Sequence, residues 1–389
     1  ICDELKIKYH NFDKKYIDPL KTSCSLTLEE LKELNVKPIY DIIFIDEAQD
    51  LPNEWIELCS LISHKLYVAF DIFQNIFDNR DFSNQTKCDY TLTKCYRTPP
   101  LLLMFGHSIA MGLFEDKKLQ WFSEAVSWQN IGYDISGDPQ KDSTELILKR
   151  SPLSRFEDEE IENCLYFYDF SKAENIDNLI QIIEDIKKRN NLDNNLHEII
   201  IIDVRNNYNK SQLLATKLEN YGIEINNIID SKVRYYNNKI HFGNINNVKG
   251  LEFGFVIIIG ISLHNSIIYR NSLYMSITRS MLEAHLIFTK NEDYVFLKNN
   301  YNYILNNKCI KTKVPTKEER ISISKAIEAI NDKLTPEKYI MSKLEEFGYK
   351  YDKKVFVDMV LNLFDDIEDI TPEKLDTKIK ALILMHDKN

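Results

Sequence analysis

Two short apolar runs that end in acidic residues constrain the fold of this chain more than any other feature. Residues 40–45 precede Asp46 and Glu47, and residues 65–70 precede Asp71. Short runs of this kind predict buried strands of a parallel sheet, which helices cover on both faces. Because open α/β sheets bind ligands at the carboxyl ends of their strands, we expect these carboxylates to face a site.

Beyond residue 98, apolar runs alternate with segments of helical periodicity. The apolar runs, which predict strands, are residues 197–204, 255–260 and 286–289. The segments that predict helices are residues 99–113, 176–188 and 210–221. This alternation predicts a second parallel sheet covered by helices, and it places the chain in the α/β fold class.

Two further stretches carry weaker patterns. Ser25 precedes an acidic and apolar sequence that is typical of a helix start. Residues 114–165 show no sustained period, and we predict an irregular segment there.

The sequence changes character after about residue 310, where it becomes charged and helical in pattern. Thr335-Pro336 and Thr371-Pro372 are typical of helix starts, because proline suits the first turn. We therefore predict a helical extension over residues 311–389.

Composition excludes several classes of protein. The 389 residues are 44% hydrophobic and 28% charged, which is a globular rather than a disordered composition. The net charge of −11 argues against a globally basic nucleic-acid binder, although a local basic groove can still hold a strand. The 7 cysteines form no CxxC pair and predict free thiols in a reducing compartment. We expect a cytoplasmic protein.

Asp46 and Glu47 are suited to a nucleotide site. Mg²⁺ prefers hard oxygen ligands and keeps several waters, so Asp46 is a candidate metal residue. Glu47 would then polarise the water that attacks a γ-phosphate. The alternative interpretation is an acidic turn after a buried strand.

The string from Phe70 to Phe77 follows the second apolar run. A neutral amide can donate to a phosphate oxygen and accept from a neighbour, so Gln74 is a candidate sensor of phosphate loss. The alternative is a helix start in which Gln74 is exposed and the phenylalanines are buried.

Three later strings add candidate binding residues. Tyr96 offers a flat face for a base, and Arg97 offers a fork of donors for phosphate. Gly250 lies in a turn where backbone can approach a ligand closely, and Glu252 can accept from a ribose hydroxyl. Arg279 follows a predicted helix that buries one face and leaves Arg279 pointing elsewhere. A surface turn and an amphipathic helix with a solvated arginine are the alternatives.

Five strings, in this order, resemble the motifs of the UvrD/Rep-like superfamily 1 helicases. The resemblance spans about residues 38–292. The strings are Asp46-Glu47-Ala48-Gln49-Asp50, the stretch from Asp71 to Phe77, Tyr96-Arg97-Thr98, Lys249-Gly250-Leu251-Glu252-Phe253, and the stretch from Tyr274 to Ser280.

This resemblance implies two RecA-like α/β domains with ATP between them. The first would be partial over residues 1–98 and the second complete over residues 99–310, followed by the helical extension. Asp46 would serve Mg²⁺, Glu47 would activate water and Gln74 would sense the γ-phosphate.

The resemblance also implies roles for the later strings. Arg97 and Arg279 would reach the γ-phosphate as charge develops on it. Tyr96 would stack on adenine, Glu252 would hold the ribose, and Gly250 would lie beside the nucleotide.

Two of the departures from the family pattern bear most on function. No phosphate-binding loop of the form GxxxxGKS or GxxxxGKT occurs, so we expect weak ATP binding and no useful turnover from this chain alone. Because that loop belongs upstream of Asp46 and the sequence opens on Ile1, we expect a fragment. About 40 residues separate residues 197–204 from Lys249, so the large inserted subdomain of UvrD-type enzymes is missing or tiny.

Three functions therefore stay open. We expect an ATP-dependent helicase or translocase on single-stranded nucleic acid, with DNA favoured over RNA. The second interpretation is a non-hydrolysing scaffold that binds nucleic acid or a partner protein. The third is a motor subunit of a nuclease or phage-defence complex.

Overall fold

The chain forms two compact units. The first unit comprises Ile1–Thr86 with Glu328–Asn389, and the second comprises Lys87–Ile327. The domain boundaries at residues 98 and 310, drawn from motif order, stay predictions. The computed structural model describes residues 19–71, 73, 89–92, 95, 97–150, 164–172, 176–205, 207–229, 238–332, 336–346, 353–361, 363–364 and 372–386.

The amino-terminal part of the first unit contains a parallel strand pair with two helices. In chain order the elements are α1 (Pro19–Glu33), β1 (Tyr40–Ile45), α2 (Asn53–Ile62) and β2 (Ser63–Val68). Both predicted strands are present, and they pair in parallel with Ile43 opposite Leu66. The helices pack on one face of this pair through a small core that includes Leu31, Leu58 and Ile62.

The other face of the strand pair is apolar but uncovered in the described part of the chain. Ile42 is 47% exposed, Phe44 75% and Tyr67 51%. The Phe44 and Tyr67 rings stack with their centroids 5.1 Å apart. The prediction that these strands are buried on both faces is therefore wrong here. Apolar sequence shows which faces can be buried, but it does not supply the layer that covers them.

The first helix begins earlier than predicted. It starts at Pro19, and Ser25 lies in its interior. The Ser25 and Thr27 hydroxyls donate to the main-chain oxygens of Lys21 and Ser23. Serine and threonine occur both at helix caps and inside helices, where their hydroxyls bond to the preceding turn. The sequence pattern at Ser25 is therefore similar to a cap, which explains why the helix start was predicted too late.

The second unit holds nine strands and seven helices among its described residues. The helices are α3 (Pro100–Met111), α4 (Ala125–Asn130), α5 (Ile176–Asn190), α6 (Tyr208–Asn220), α7 (Ile267–Ile277), α8 (Asn291–Asn307) and α9 (Lys317–Asp332). The strands are β3 (Tyr133–Ser136), β4 (Glu145–Arg150), β5 (Leu165–Asp169), β6 (Ile199–Asp203), β7 (Ile225–Asn227), β8 (Ile240–Asn244), β9 (Phe253–Ile261), β10 (Ser280–Phe288) and β11 (Ile310–Lys313).

Six of these strands form a sheet in the order β5-β10-β9-β6-β8-β7. Every neighbouring pair is parallel. All residues of β6 and β9 are buried, because both strands lie inside the sheet and are rich in isoleucine. The predicted α/β class, the three predicted strands and the three predicted helices of this unit are confirmed.

The stretch predicted as irregular, residues 114–165, contains regular structure in the part that is described. Residues 114–150 include α4, β3 and β4, and β4 lies between β3 and β11 in an antiparallel sheet. Trp128 is fully buried, and its Nε1–H donates to the main-chain oxygen of Phe122 at 2.9 Å. Trp128 thus belongs to the core and presents no face to a base.

The C-terminal helices agree with the sequence. The described elements are α10 (Pro336–Glu346), α11 (Lys353–Leu361) and α12 (Pro372–His386). Two of them begin at the prolines predicted as helix starts. Their apolar residues enclose a core that includes Ile340, Phe356 and Ile379. No helix among the described residues is both long enough and apolar enough to cross a membrane.

A polar cluster closes the carboxyl end of β6. Asp203 is 1% exposed, and its carboxylate accepts from the Arg205 guanidinium at 2.8 Å and from the Ser211 hydroxyl at 2.7 Å. Gly260 has a φ of +80°, and a Cβ there would lie 2.3 Å from Cγ of Arg205. Because Arg205 is held by Asp203, it has little room to yield.

We predict that Gly260→Ala lowers the free energy of unfolding by about 2–4 kcal/mol, as measured by urea denaturation. The cost combines a positive φ with the clash against Arg205. Gly222→Ala is the matched control, because Gly222 has a φ of +84° and open space around it. The control should lose about 1 kcal/mol. Equal losses in the two variants would contradict the clash.

Three buried histidines have lowered pKa values. His107, His241 and His285 are each at most 3% exposed. Burial lowers the pKa of all three imidazoles, and for His241 burial together with the nearby His197 lowers the pKa to about 4. His241 also lies 3.1 Å from the side-chain nitrogen of Asn226. Protonation of these rings therefore opposes folding.

We predict that stability falls as pH decreases from 6.5 towards about 4. The folded-state pKa of His241 lies below its unfolded value, so its contribution is fully present above the unfolded value and is lost on acidification. His241→Gln should reduce this pH dependence in urea denaturation. His64→Gln, at an exposed position, is the control and should preserve it. Identical pH dependence in His241→Gln and the parent would contradict the assignment.

Candidate functional site

The turn after β1 presents two adjacent carboxylates. Asp46 is exposed and Glu47 is half-buried. Glu47 has φ 50° and ψ 42°, a left-handed conformation that is unfavourable for a residue with a Cβ. The main-chain N–H of Glu47 donates to Oδ1 of Asp46 at 2.9 Å. Backbone strain of this kind persists where the surrounding structure holds it, and it is common at functional sites.

Gln49 is the feature of this turn that we did not assign from the sequence. Its side chain is fully buried and donates to Oε2 of Glu47. The Gln49 side-chain oxygen accepts from the main-chain N–H of Asp71 at 3.1 Å. Asp71 in turn accepts from the N–H of Phe73 at 2.9 Å. The carboxylates that follow β1 and β2 thus lie at one edge of the strand pair, as the two apolar runs predicted.

In the second unit, the three later strings lie next to one another. Nη1 of Arg97 donates to Oε1 of Glu252 at 2.8 Å. The Thr98 hydroxyl donates to the main-chain oxygen of Thr278 at 3.2 Å. The N–H of Phe253 donates to the main-chain oxygen of Arg279 at 3.0 Å. Residues far apart in sequence therefore form one cluster at the amino ends of β9 and β10.

The Arg97–Glu252 pair is open to solvent. The side chain of Arg97 is 29% exposed and that of Glu252 is 47% exposed. An ion pair with this exposure contributes little to stability, so both groups stay available to a ligand. Gly250 has a φ of +76° and nothing within 4 Å of the place where a Cβ would lie. The turn is therefore uncrowded, and the predicted contact of Gly250 with a nucleotide stays a prediction.

Arg279 is placed differently from the expectation. It is 1% exposed, its Nε donates to the main-chain oxygen of Met275 at 3.3 Å, and its Nη1 donates to that of Leu251 at 3.3 Å. The helix before it, α7, is buried from Tyr269 to Ile277. The prediction of an amphipathic helix with Arg279 pointing away from the core is therefore wrong.

The burial of α7 has a clear cause. The helix packs against α3, and the rings of His107 and Tyr274 stack with their centroids 5.0 Å apart. Gly106 allows this approach, since a Cβ there would lie 3.1 Å from the Tyr274 ring. The sequence showed only one apolar face because several buried residues of α7, including Arg270 and Asn271, are polar.

Two predicted site residues, Gln74 and Tyr96, lie outside the described residues. Within the described part of the chain, no group of three or more His, Cys, Asp or Glu side chains could hold a metal ion. Asp46 nevertheless suits Mg²⁺, which is commonly held by one or two carboxylates together with waters and substrate phosphates.

Comparisons with known proteins add little. No protein-family model matches the chain, and no curated protein matches it. Among solved structures, it is similar to the C-terminal domain of a possible DNA helicase from Lactobacillus plantarum WCFS1, with 16% sequence identity and a TM-score of 0.29. The similarity covers 50% of this chain and 86% of that chain. A TM-score of 0.29 is too low to support an argument about this chain.

We predict that Arg279→Ala lowers the free energy of unfolding by about 2–4 kcal/mol, because it leaves buried carbonyls without a donor and opens a cavity. Glu252→Gln should change stability by less than about 1 kcal/mol, since the pair it weakens is exposed. Urea denaturation of both variants measures the difference. A fully stable Arg279→Ala variant would show that the buried guanidinium contributes nothing to folding.

Proposed function

We propose that this protein acts as an ATP-dependent helicase or translocase of the UvrD-like superfamily 1 type. The observation that carries the proposal is the contact of three separate strings in the second unit. The turn formed by residues 249–253 contacts both arginines. Its Glu252 carboxylate accepts from Arg97, and its Leu251 main-chain oxygen accepts from Arg279. Family resemblance in order along the chain and contact in space are independent, and together they favour one nucleotide site.

Glu47 is proposed to orient the water that attacks the γ-phosphate and to accept its proton. Its carboxylate is half-buried and held by Gln49, which limits the orientations it can take. Asp46 would hold Mg²⁺ through its exposed carboxylate. The ion, when bound, neutralises charge on the phosphate oxygens.

The second unit is proposed to hold the ribose and the phosphates. The Glu252 carboxylate accepts from a ribose hydroxyl, and its release from Arg97 frees that guanidinium for a phosphate. Arg279 donates to two main-chain oxygens, so contact with a phosphate requires it to give up or share one of them. Contacts that form only as charge develops accelerate the reaction rather than tighten binding.

We further propose that the protein moves single-stranded nucleic acid, with DNA favoured over RNA. We propose that it does so in the cytoplasm. Each cycle of ATP binding and hydrolysis would shift the strand. Because the net charge is −11, binding of the strand would require a local basic groove rather than the whole surface. In a nuclease or phage-defence complex, the same motor would serve a separate effector.

A scaffold that binds nucleic acid without hydrolysing ATP is the rival function. The two functions differ in a single measurable property, since a scaffold binds single strands but shows no ATP turnover under any condition.

We predict that the protein expressed from its natural gene hydrolyses ATP only when single-stranded nucleic acid is present. Glu47→Gln should lower kcat at least about 100-fold while ATP binding is retained, because only the group that handles the water is changed. Steady-state ATPase assays with ssDNA, ssRNA and no nucleic acid, together with binding of ATP, measure these effects.

Glu57→Gln is the matched control, since it makes the same chemical change at an exposed position that pairs with Lys32. Its turnover should equal that of the parent. Parent-level turnover in Glu47→Gln would remove Glu47 from its role. No turnover in the parent with either nucleic acid would favour the scaffold.

A further inference from the structure

We infer that Gln49 is a positioning residue for Glu47, which it holds in the orientation needed to handle the attacking water. The inference rests on the proposed function and deepens it. It is drawn from the hydrogen bonds of one fully buried amide, whose two ends contact different strand ends of the first unit.

The geometry leaves the Gln49 side chain no freedom. Its nitrogen donates to Oε2 of Glu47, and its oxygen accepts from the N–H of Asp71. The neighbouring backbone is held as well, because the N–H of Ala48 donates to the main-chain oxygen of Ala69 at 2.9 Å. Donor and acceptor are therefore fixed on opposite sides of the amide, and the donor end points at the Glu47 carboxylate.

The amide is not explained by packing alone. Burying an amide costs free energy unless its polar atoms are paired, whereas methionine fills almost the same volume without that cost. Glutamate has the same shape but lacks the donor when ionised, and it would place a second negative charge beside Glu47. A core position that requires an amide therefore indicates a task that neither an apolar nor an acidic side chain performs.

That task is orientation of the Glu47 carboxylate. Glu47 lies in a left-handed turn and is half-buried, so without a donor its carboxylate could rotate among several orientations. A hydrogen bond to Oε2 selects one of them and leaves Oε1 for water. Misplacing a catalytic group by about 1 Å can cost about 100-fold in rate, so this restraint bears on turnover and not on ATP affinity.

The test compares Gln49→Met with Gln49→Glu in the protein expressed from its natural gene. Methionine removes both hydrogen bonds, while glutamate keeps the acceptor for Asp71 and loses the donor to Glu47. Both variants should lower kcat by about 10- to 100-fold and leave KM for ATP within about twofold. Gln120→Met is the matched control, because the Gln120 amide also makes two hydrogen bonds, both as a donor, but lies in the second unit.

A double-mutant cycle separates positioning from a structural effect. If Gln49 acts only through Glu47, then Gln49→Met should have little further effect in a Glu47→Gln background. The rate constant of hydrolysis, measured in single-turnover assays, should change there by less than about twofold. Thermal unfolding of each variant shows whether the fold is retained, and Gln120→Met should keep parent turnover.

Each other result overturns the inference. Parent-level kcat in Gln49→Met, with turnover lost in Glu47→Gln, would refute positioning and leave the proposed function intact. Full additivity in the cycle, or an increase in KM that matches the loss of kcat, would make Gln49 a structural residue. Absence of turnover in the parent with any nucleic acid would refute the proposed function and this inference together.

Discussion

Parallel pairing of β9 with β10 is the constraint on which the cluster in the second unit depends. The first residues of the two strands, Phe253 and Ser280, are partners in the ladder, and the N–H of Phe253 donates to the carbonyl oxygen of Arg279. This register brings two strings that are distant along the chain side by side. That register is held by burial, because a slip would misplace the buried side chains of β9 and of the second half of β10.

In the first unit, charged groups are held at the end of a short strand pair. A left-handed Glu47 and a buried Gln49 both cost free energy, and neither improves packing. Their cost is offset by apolar packing at the same turn, where Ile45 and Ala48 lie in one core with Cys59 of α2. Order at this turn is therefore supplied by ordinary apolar packing nearby, while the polar groups specify orientation.

Much of the fold could be predicted because hydrophobic period and proline position act locally. Five of the strands, the helices predicted over residues 99–113, 176–188 and 210–221, and the helix starts at Pro336 and Pro372 follow from such signals. Burial could not be predicted in the same way, since it depends on partners distant in sequence. Arg279 is buried because α7 packs on α3, and residues 145–150 form a sheet strand because β4 pairs with the distant β11. The sequence shows Gln49 two residues after Glu47, but it does not show that the Gln49 amide bonds to the Glu47 carboxylate and to the main chain of Asp71.

The apolar face formed by Ile42, Phe44 and Tyr67 has a practical consequence for handling the molecule. An exposed apolar face of this kind is a surface through which proteins can self-associate. Sulfate and other kosmotropic salts, which are often added as stabilisers, strengthen such contacts and would promote precipitation of this chain. Buffers of low salting-out strength suit it better, even though the net charge alone predicts good solubility.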